Sequence, residues 1–203
     1  MAFTKDNFHV PTELRTDEFL LRPIRAADAA LDYEAVMASK EYLRPWEGTG
    51  WPADDFTVED NRADVVKLAR WHAARERFTY TVLDPTETQC FGCVYIVPTG
   101  APLFARKQIA AIDGARWSEY AVVVHFWVRT ARLADGLDRR LLDVLGPWLA
   151  EAWQIPHHLI VTNERVEQQV SLIESTNRQL RFRLTDPKEP GASLAYAQAA
   201  PPA

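Results

Sequence analysis

The stretch that decides the fold begins with Tyr120-Ala-Val-Val-Val-His-Phe-Trp-Val128. Eight of its nine residues are apolar or aromatic and favour extended backbone, which predicts a strand buried on both faces. After the loop Arg129-Thr-Ala-Arg-Leu-Ala-Asp-Gly136, apolar residues recur at spacings of four, four, three and four. They are Leu137, Leu141, Leu145, Trp148 and Ala152. This spacing predicts an amphipathic helix that lies on a sheet.

The order of strand, glycine-containing turn and helix predicts an anion site at the helix N-terminus. Backbone N–H groups and the positive end of the helix dipole meet just beyond such a strand. Four arginines lie within twelve residues here, in a chain of formal net charge -5: Arg129, Arg132, Arg139 and Arg140. Any one of them could be a solvated surface charge. As a group they favour a phosphate-bearing ligand, because a guanidinium binds phosphate through two hydrogen bonds.

Length and composition predict one soluble domain. The 203 residues are 47% hydrophobic and 25% charged, as in ordinary globular proteins. We expect a domain over 17–197 that contains a long loop at 98–117, a loose lead-in over 1–16 and a frayed tail over 198–203. No apolar run approaches the roughly 20 residues needed to cross a membrane, and the N-terminus lacks a signal-peptide core. We therefore expect a cytoplasmic protein, and its negative charge argues against nucleic-acid binding.

The two cysteines form the segment Cys90-Phe-Gly-Cys93. A CxxC pair is redox-active when it begins a helix, whereas this one lies in a strand-like run. Side chains alternate along a strand, so the sulfurs are expected on opposite faces. No second pair completes a zinc site, and no metal is predicted.

Periodicity and turn residues give the other elements in order. The predicted elements are a strand over 18–24, a helix from Arg25 to about Ser39, a linker over 41–55, a helix from Thr57 to about Glu76, a hairpin of 78–83 with 90–97, a strand over 157–161, a helix capped by Asn163, and strands over 180–184 and 192–196.

The strand, turn and helix around Gly136 resemble the central acyl-CoA-binding segment of the GNAT superfamily of N-acyltransferases. That segment reads Arg or Gln, two residues, Gly, one residue, then Gly or Ala. This sequence has Leu133-Ala-Asp-Gly-Leu-Asp138 in that register, with the arginine displaced to 132 and Asp138 at the last position. The opening Leu21-Arg-Pro-Ile24, followed by Ala-Ala-Asp28 and a helix, resembles the start of GNAT domains and is an independent match.

The resemblance implies an α/β (α+β) fold, with a mixed, mostly antiparallel sheet of six to seven strands and helices on both faces. It also implies a divergent N-acetyltransferase, closest to the branch that acetylates ribosomal proteins and small-molecule amines. Acetyl-CoA would be the co-substrate, with its pantetheine along the strand and its pyrophosphate over 132–137. The implied CoA-binding residues are Trp127, Val128, Arg129, Arg132, Leu133, Ala134, Asp135, Gly136, Leu137 and Arg139.

The catalytic residues are less well defined. Related enzymes often carry a glutamate on the central strand, where this sequence has Val122-Val-Val124. The remaining candidates for the base are Glu119, His125 and Glu47. His125 has a suitable unperturbed pKa of about 6.5, although a histidine in such a strand is often a hydrogen-bonded core residue.

The acid that releases the thiol has no match either. The tyrosine that many family members carry in the last helix is replaced by Ser175-Thr-Asn177. The candidates that could substitute are Tyr33, Tyr42 and Tyr95.

The acceptor is expected to be a small-molecule or peptide amine. Trp46 and Glu47, on a loop rich in aromatic residues, and Tyr95 would contact it, although such aromatics also serve as packing plugs. The loop over 98–117 is a candidate lid or dimer contact, and a homodimer is one expected state. The alternative function is a GNAT-fold protein that binds acyl-CoA, another ligand or a partner without catalysis.

Overall fold

The computed structural model describes residues 7–188 and 190–199. The strands are β1 (Leu14–Arg15), β2 (Leu20–Pro23), β3 (Phe78–Leu83), β4 (Cys90–Pro98), β5 (Gln108–Ala111), β6 (Val122–Val128), β7 (His158–Asn163), β8 (Arg178–Thr185) and β9 (Ala192–Gln198). The helices are α1 (Ala29–Ala38), α2 (Lys40–Glu47), α3 (Val58–Ala73), α4 (Leu137–Glu151) and α5 (Glu167–Glu174). None of the helices in these residues is long and apolar enough to cross a membrane.

The strands form a single sheet in the order β1-β2-β3-β4-β6-β7-β9-β8-β5. Neighbouring strands are antiparallel except for the parallel pair β6 and β7. This mixed, mostly antiparallel architecture confirms the predicted fold class. The sheet has nine strands rather than six or seven because the short strands β1 and β5, which the sequence pattern did not reveal, extend its two edges.

The parallel strands β6 and β7 separate along their length. Residues 122–124 of β6 pair with residues 158–160 of β7. Beyond that point β6 continues to Val128 and β7 to Asn163 without pairing to each other. The sheet therefore opens at its centre, and backbone groups at the end of β6 become available to ligands or side chains.

The two faces of β6 serve different purposes. Val122, Val124, Phe126 and Val128 join the largest apolar cluster, which includes the buried stripe of α4. His125 and Trp127 point to the opposite face because side chains alternate along a strand. Trp127 packs there against buried residues of α1 and α2. One face of β6 therefore packs against α4, whereas His125 lies on the opposite face.

Gly92 allows β4 to approach β6 closely. A Cβ at this position would lie 2.0 Å from the Trp127 carbonyl oxygen, and the backbone φ is 149°. The ladder with β3 shifts here, pairing Val82 with Gly92 and Leu83 with Cys90. Because this bulge interrupts the alternation, both cysteines lie in the same buried cluster, and the prediction that their sulfurs face opposite ways was wrong.

The predicted linker over 41–55 was also partly wrong, because 40–47 form the helix α2. Pro45 lies inside this helix, and Gly48 ends it with a left-handed φ of 84°. Burial of Leu43, which is fully inaccessible, outweighs the cost of a proline in so short a helix.

Two further segments differ from the sequence patterns. Asn163 is the last residue of β7 and accepts a hydrogen bond from the Arg165 N–H instead of capping α5, which begins at Glu167. The segment over 98–117 contains the edge strand β5 and a short 3-10 turn at Pro102–Phe104, so it is not an unstructured loop.

Candidate active site

A cavity of about 650 Å³ lies over the β3, β4 and β6 face that carries His125. Thr79, Tyr95 and His125 are in register across these strands and form its floor. Helices α2 and α3 supply side walls that include Trp46 and Trp71. The segment over 98–117 supplies a further wall through 103–104 and 106–107.

His125 presents an unprotonated imidazole to this cavity. The ring lies edge-on to Trp46, with the ring centroids 6.3 Å apart. Within the described parts of the chain its nitrogens have no hydrogen-bond partner, unlike a structural core histidine. Burial, helped by the positive charge of Lys107, lowers the pKa of His125 to about 4. At neutral pH the ring therefore offers a lone pair that can accept a hydrogen bond or a proton.

Two side chains occupy the opening between the separated strands. The Trp46 Nε1 donates to the Phe126 carbonyl oxygen at 3.0 Å, and the Gln169 amide donates to the same oxygen at 2.9 Å. The Gln169 amide oxygen accepts from the Thr162 hydroxyl of β7 at 2.6 Å. Gln169 thus bridges β6 and β7 where the direct ladder has ended. The sequence patterns did not single out this residue.

The two acidic candidates for the base, Glu47 and Glu119, lie in different parts of the structure. Glu47 lines the cavity beside Trp46 and accepts a hydrogen bond from the Thr49 hydroxyl. Glu119 is outside the cavity lining, is solvent-exposed, and forms an ion pair with Arg116 at 2.7 Å. The hydrogen bond and charge of Arg116 lower the pKa of Glu119, which makes it a weaker base.

Of the three tyrosine candidates for the acid, two have a raised pKa and the third donates a hydrogen bond to the backbone. Tyr95 lies in the cavity floor, and its hydroxyl accepts from the Trp127 Nε1 at 3.2 Å. Burial raises the pKa of Tyr95 well above its ordinary value, and burial also raises the pKa of Tyr42. The Tyr33 hydroxyl donates to the Phe56 carbonyl oxygen. Of these three residues, only Tyr95 lines the cavity.

The turn before α4 has the features of an anion site. Gly136 adopts a left-handed φ of 71°, and Leu137 and Asp138 begin the helix. Within 7–188 and 190–199 the backbone N–H groups of Leu137 and Asp138 find no acceptor. In the same residues Arg129 makes no ion pair. The loop Leu133-Ala-Asp135 leads into this turn, whose free N–H donors at a helix N-terminus suit an anion.

The other three arginines have partners. Arg132 bonds to Asp135 at 2.9 Å, and its guanidinium lies 4.5 Å from the centre of the Phe91 ring. Arg139 bonds to Asp143 and to the Ser175 hydroxyl, and Arg140 bonds to Glu18. The predicted roles of Arg129, Arg132 and Arg139 in phosphate binding stay predictions, and the last two would have to exchange these partners for the phosphate.

Asp138, the departure from the family pattern, is buried in the first turn of α4. Its carboxylate accepts the Arg139 N–H at 2.9 Å and the Gln168 side-chain amide. These donors, together with the helix dipole, offset its negative charge. The position is thus compatible with an anion bound at the preceding turn.

Comparison with known proteins places this arrangement in a known fold. No protein-family model and no curated protein matches the sequence. Solved structures do match, including the ribosomal-protein-S5-alanine acetyltransferase from Vibrio fischeri, with a TM-score of 0.63 and 16% identity over 93% of this chain and 96% of that one. RimL, a ribosomal L7/L12 alpha-N-protein acetyltransferase, has a TM-score of 0.67 and 14% identity over 95% and 96% of the two chains.

A third structure is the microcin C7 self immunity acetyltransferase MccE in complex with acetyl-CoA and AMP, with a TM-score of 0.67 and 12% identity over 91% of this chain and 94% of that one. At such low sequence identity these matches show the fold alone. They cover nearly the whole of each chain. The chain therefore has the GNAT fold of the N-acetyltransferases, as its sequence predicted.

Proposed function

We propose that this protein is an N-acetyltransferase that moves an acetyl group from acetyl-CoA to a primary amine. The observation that carries the proposal is the separation of β6 from β7 beyond Val124 and Ile160, with the His125 cavity on one face of the sheet and the donor-rich turn before α4 following the end of β6. The solved structures of this fold include enzymes named as acetyltransferases of ribosomal proteins and of microcin.

Acetyl-CoA would bind with its phosphates at the turn before α4. The free N–H groups of Leu137 and Asp138, together with Arg129 and Arg132, supply the donors. The backbone of β6 near Trp127 and Val128 would pair with the amides of the pantetheine. MccE, whose structure was solved with acetyl-CoA, supports this choice of co-substrate.

The acceptor amine would enter the cavity and contact Trp46, Glu47 and Tyr95. Its nitrogen attacks the thioester carbonyl, so a C–N bond forms and the C–S bond breaks. The neutral imidazole of His125 takes the proton that the amine loses, directly or through water. The leaving thiolate is protonated from solvent, which yields an amide and free CoA. Because a base of low pKa is weak, positioning of the amine contributes much of the rate.

The test is release of free CoA thiol from acetyl-CoA in the presence of a panel of peptide N-termini and small amines, with the acetylated product identified by mass. We expect His125→Gln to lower kcat/KM by about tenfold to a hundredfold. His157→Gln is the matched control, because this neighbouring histidine is exposed and outside the cavity. Thiol release at the uncatalysed rate with every amine would refute the proposal.

Binding without catalysis is the second candidate function. It is favoured by the valines at 122–124, where related enzymes carry a glutamate, and by the Trp46 and Gln169 side chains that occupy the Phe126 carbonyl oxygen. Under this alternative acetyl-CoA would bind to the purified protein while no amine is acetylated.

We infer a cytoplasmic location from the likeness to ribosomal-protein acetyltransferases. A homodimer stays a prediction, and light scattering of the purified protein gives its mass directly.

A further inference from the structure

The acceptor end of the cavity carries a cationic cluster formed by Lys67, Trp71 and Arg77. We propose that this cluster binds an anionic group, a carboxylate or a phosphate, on the acceptor molecule that brings the amine to His125. The inference rests on the proposed function and names the class of acceptor. It predicts that acceptors with a remote negative charge are preferred over neutral amines.

Arg77 and Lys67 both lie over the Trp71 ring. The Arg77 guanidinium is 3.6 Å from the ring centroid, and the Lys67 ammonium is 4.9 Å from it. All three residues line the cavity. Each cation contacts the indole ring through a cation–π interaction, which leaves its hydrogen-bond donors free. A guanidinium and an ammonium group that line one cavity and keep free donors can each donate to an anion bound there.

Neither cation makes an ion pair in the described part of the chain, although the charge of Lys67 acts on Asp64 and that of Glu76 acts on Arg77. No carboxylate in the described ranges lies within ion-pair distance of Lys67 or Arg77. Asp64 also lines the cavity, but it makes no ion pair with either cation, and burial raises its pKa. Arg77 is half-buried, and desolvation lowers its pKa. A partly buried charge without a counter-ion is costly, and an incoming anion would remove that cost.

The cavity as a whole favours anions, although the chain has a formal net charge of -5. Its charged lining residues are Lys67, Arg77, Arg106, Lys107, Glu47 and Asp64. Basic residues therefore outnumber acidic ones, even though Arg106 also pairs with Asp186 at 2.8 Å. Such a balance attracts and orients negatively charged molecules.

The sheet sets the distance between the two ends of the acceptor. Arg77 immediately precedes β3, and both Arg77 and Thr79 line the cavity. Thr79, Tyr95 and His125 are in register on three neighbouring strands. Two strand spacings separate the first from the last, about 10 Å in all. An acceptor that reaches both His125 and the cationic cluster must therefore place its amine roughly this far from its anion.

The test compares amines that differ only in their remote charge. One pair is 8-aminooctanoate with 8-aminooctanamide, and the other is 6-aminohexyl phosphate with 6-aminohexanol. We expect at least one anionic compound to show kcat/KM about tenfold above its neutral partner. Which anion is preferred separates a carboxylate site from a phosphate site. Alanine, whose charges are too close together, is expected to be a poor acceptor.

Variants of Arg77 and Lys67 test whether these residues cause the preference for anionic acceptors. Arg77→Gln should remove about tenfold of the preference for the anionic compound while changing turnover of the neutral partner less than twofold. Lys67→Gln, at an exposed position with no risk to folding, should remove about threefold. Arg70→Gln, exposed on the same helix and outside the cavity, is the matched control. Equal use of both members of each pair, or a preference that survives both cavity variants, would overturn the inference.

Failure of the proposed acetyltransferase function can be distinguished from failure of the anion site. If none of the four amines releases thiol, titration calorimetry of 8-aminooctanoate and 6-aminohexyl phosphate still measures binding. Binding of either compound that is lost in Arg77→Gln and kept in Arg70→Gln supports the anion site in a protein that is not an acetyltransferase. No binding of either compound, or binding unchanged in Arg77→Gln, overturns the anion site as well.

Discussion

Replacement of Gln169 by methionine tests whether this side chain holds the open part of the sheet together. Gln169 is 1% exposed, and its amide group joins the Phe126 carbonyl oxygen of β6 to the Thr162 hydroxyl of β7. Methionine has a similar length and keeps the packing, but it makes neither hydrogen bond. The Phe126 oxygen retains Trp46 as a donor, whereas the buried Thr162 hydroxyl loses its partner.

The lost hydrogen bond to the Phe126 oxygen contributes about 1 kcal/mol, and leaving the buried Thr162 hydroxyl unsatisfied costs about 1–3 kcal/mol. We therefore expect the free energy of unfolding of Gln169→Met to fall by about 2–4 kcal/mol in urea denaturation. Gln179→Leu is the control, because Gln179 is exposed and its side chain makes no hydrogen bond among the described residues. Its effect should stay within about 0.5 kcal/mol.

The double variant Thr162→Val with Gln169→Met sharpens the test. It removes both partners of one hydrogen bond, so no buried hydroxyl remains unsatisfied, and it should recover about 1 kcal/mol or more relative to the sum of the two single changes. Strictly additive effects, or a Gln169→Met protein as stable as the wild type, would refute the bridging role.

Three other changes have defined outcomes. Asp28→Asn should destabilise the fold by about 2–3 kcal/mol in urea, because it removes the buried charge to which the Arg22 guanidinium donates two bonds of 2.8 Å and leaves Arg22 with Glu87; a loss below 1 kcal/mol would contradict this. Gly92→Ala should cost more than about 3 kcal/mol, since its Cβ meets the Trp127 carbonyl oxygen, and an unchanged melting temperature would count against it. His125, with a pKa near 4 when folded and about 6.5 when unfolded, makes the folded state lose stability as pH falls through that window. His125→Gln should therefore show a flatter decline between about pH 7 and pH 4.5, and an equally steep decline would exclude His125 as its source.

The sequence predicted the central elements well because their signals are local. The buried strand, the glycine turn and the apolar stripe of α4 each follow from residue type and spacing, and all three are present. The helix predicted from Thr57 is also present, and Thr57 and Asp60 form a capping box at its start. Trp46, Glu47, Tyr95 and His125 line one cavity, and their roles in catalysis and acceptor binding stay predictions.

The features that were predicted wrongly or overlooked depend on tertiary contacts, which outweigh the local sequence preferences there. Pro45 suggested a linker, yet burial of Leu43 holds the segment as a helix. A single bulge at Gly92 reversed the expected side of a cysteine. Gln169 carries no pattern of its own, because its role depends on two strands that are distant in sequence. Such residues are found only once the strands are placed in space.

The cationic cluster was missed for a similar reason. Lys67, Trp71 and Arg77 look like ordinary residues at the end of a surface helix and the start of a strand. Only the fold directs them into the same cavity as His125. The sequence shows that basic residues are present. Whether they form an anion site depends on which of them lack an ion-pair partner in the folded protein.

The most direct test of the account is calorimetric titration of the protein with acetyl-CoA. We predict a dissociation constant on the order of micromolar, which weakens as salt is added because phosphate contacts contribute. Arg129→Glu, in the segment between β6 and α4, should weaken binding at least tenfold, while Arg62→Glu on exposed α3 should not. Absence of binding, or equal binding by both variants and the wild type, would contradict a CoA site at the start of α4.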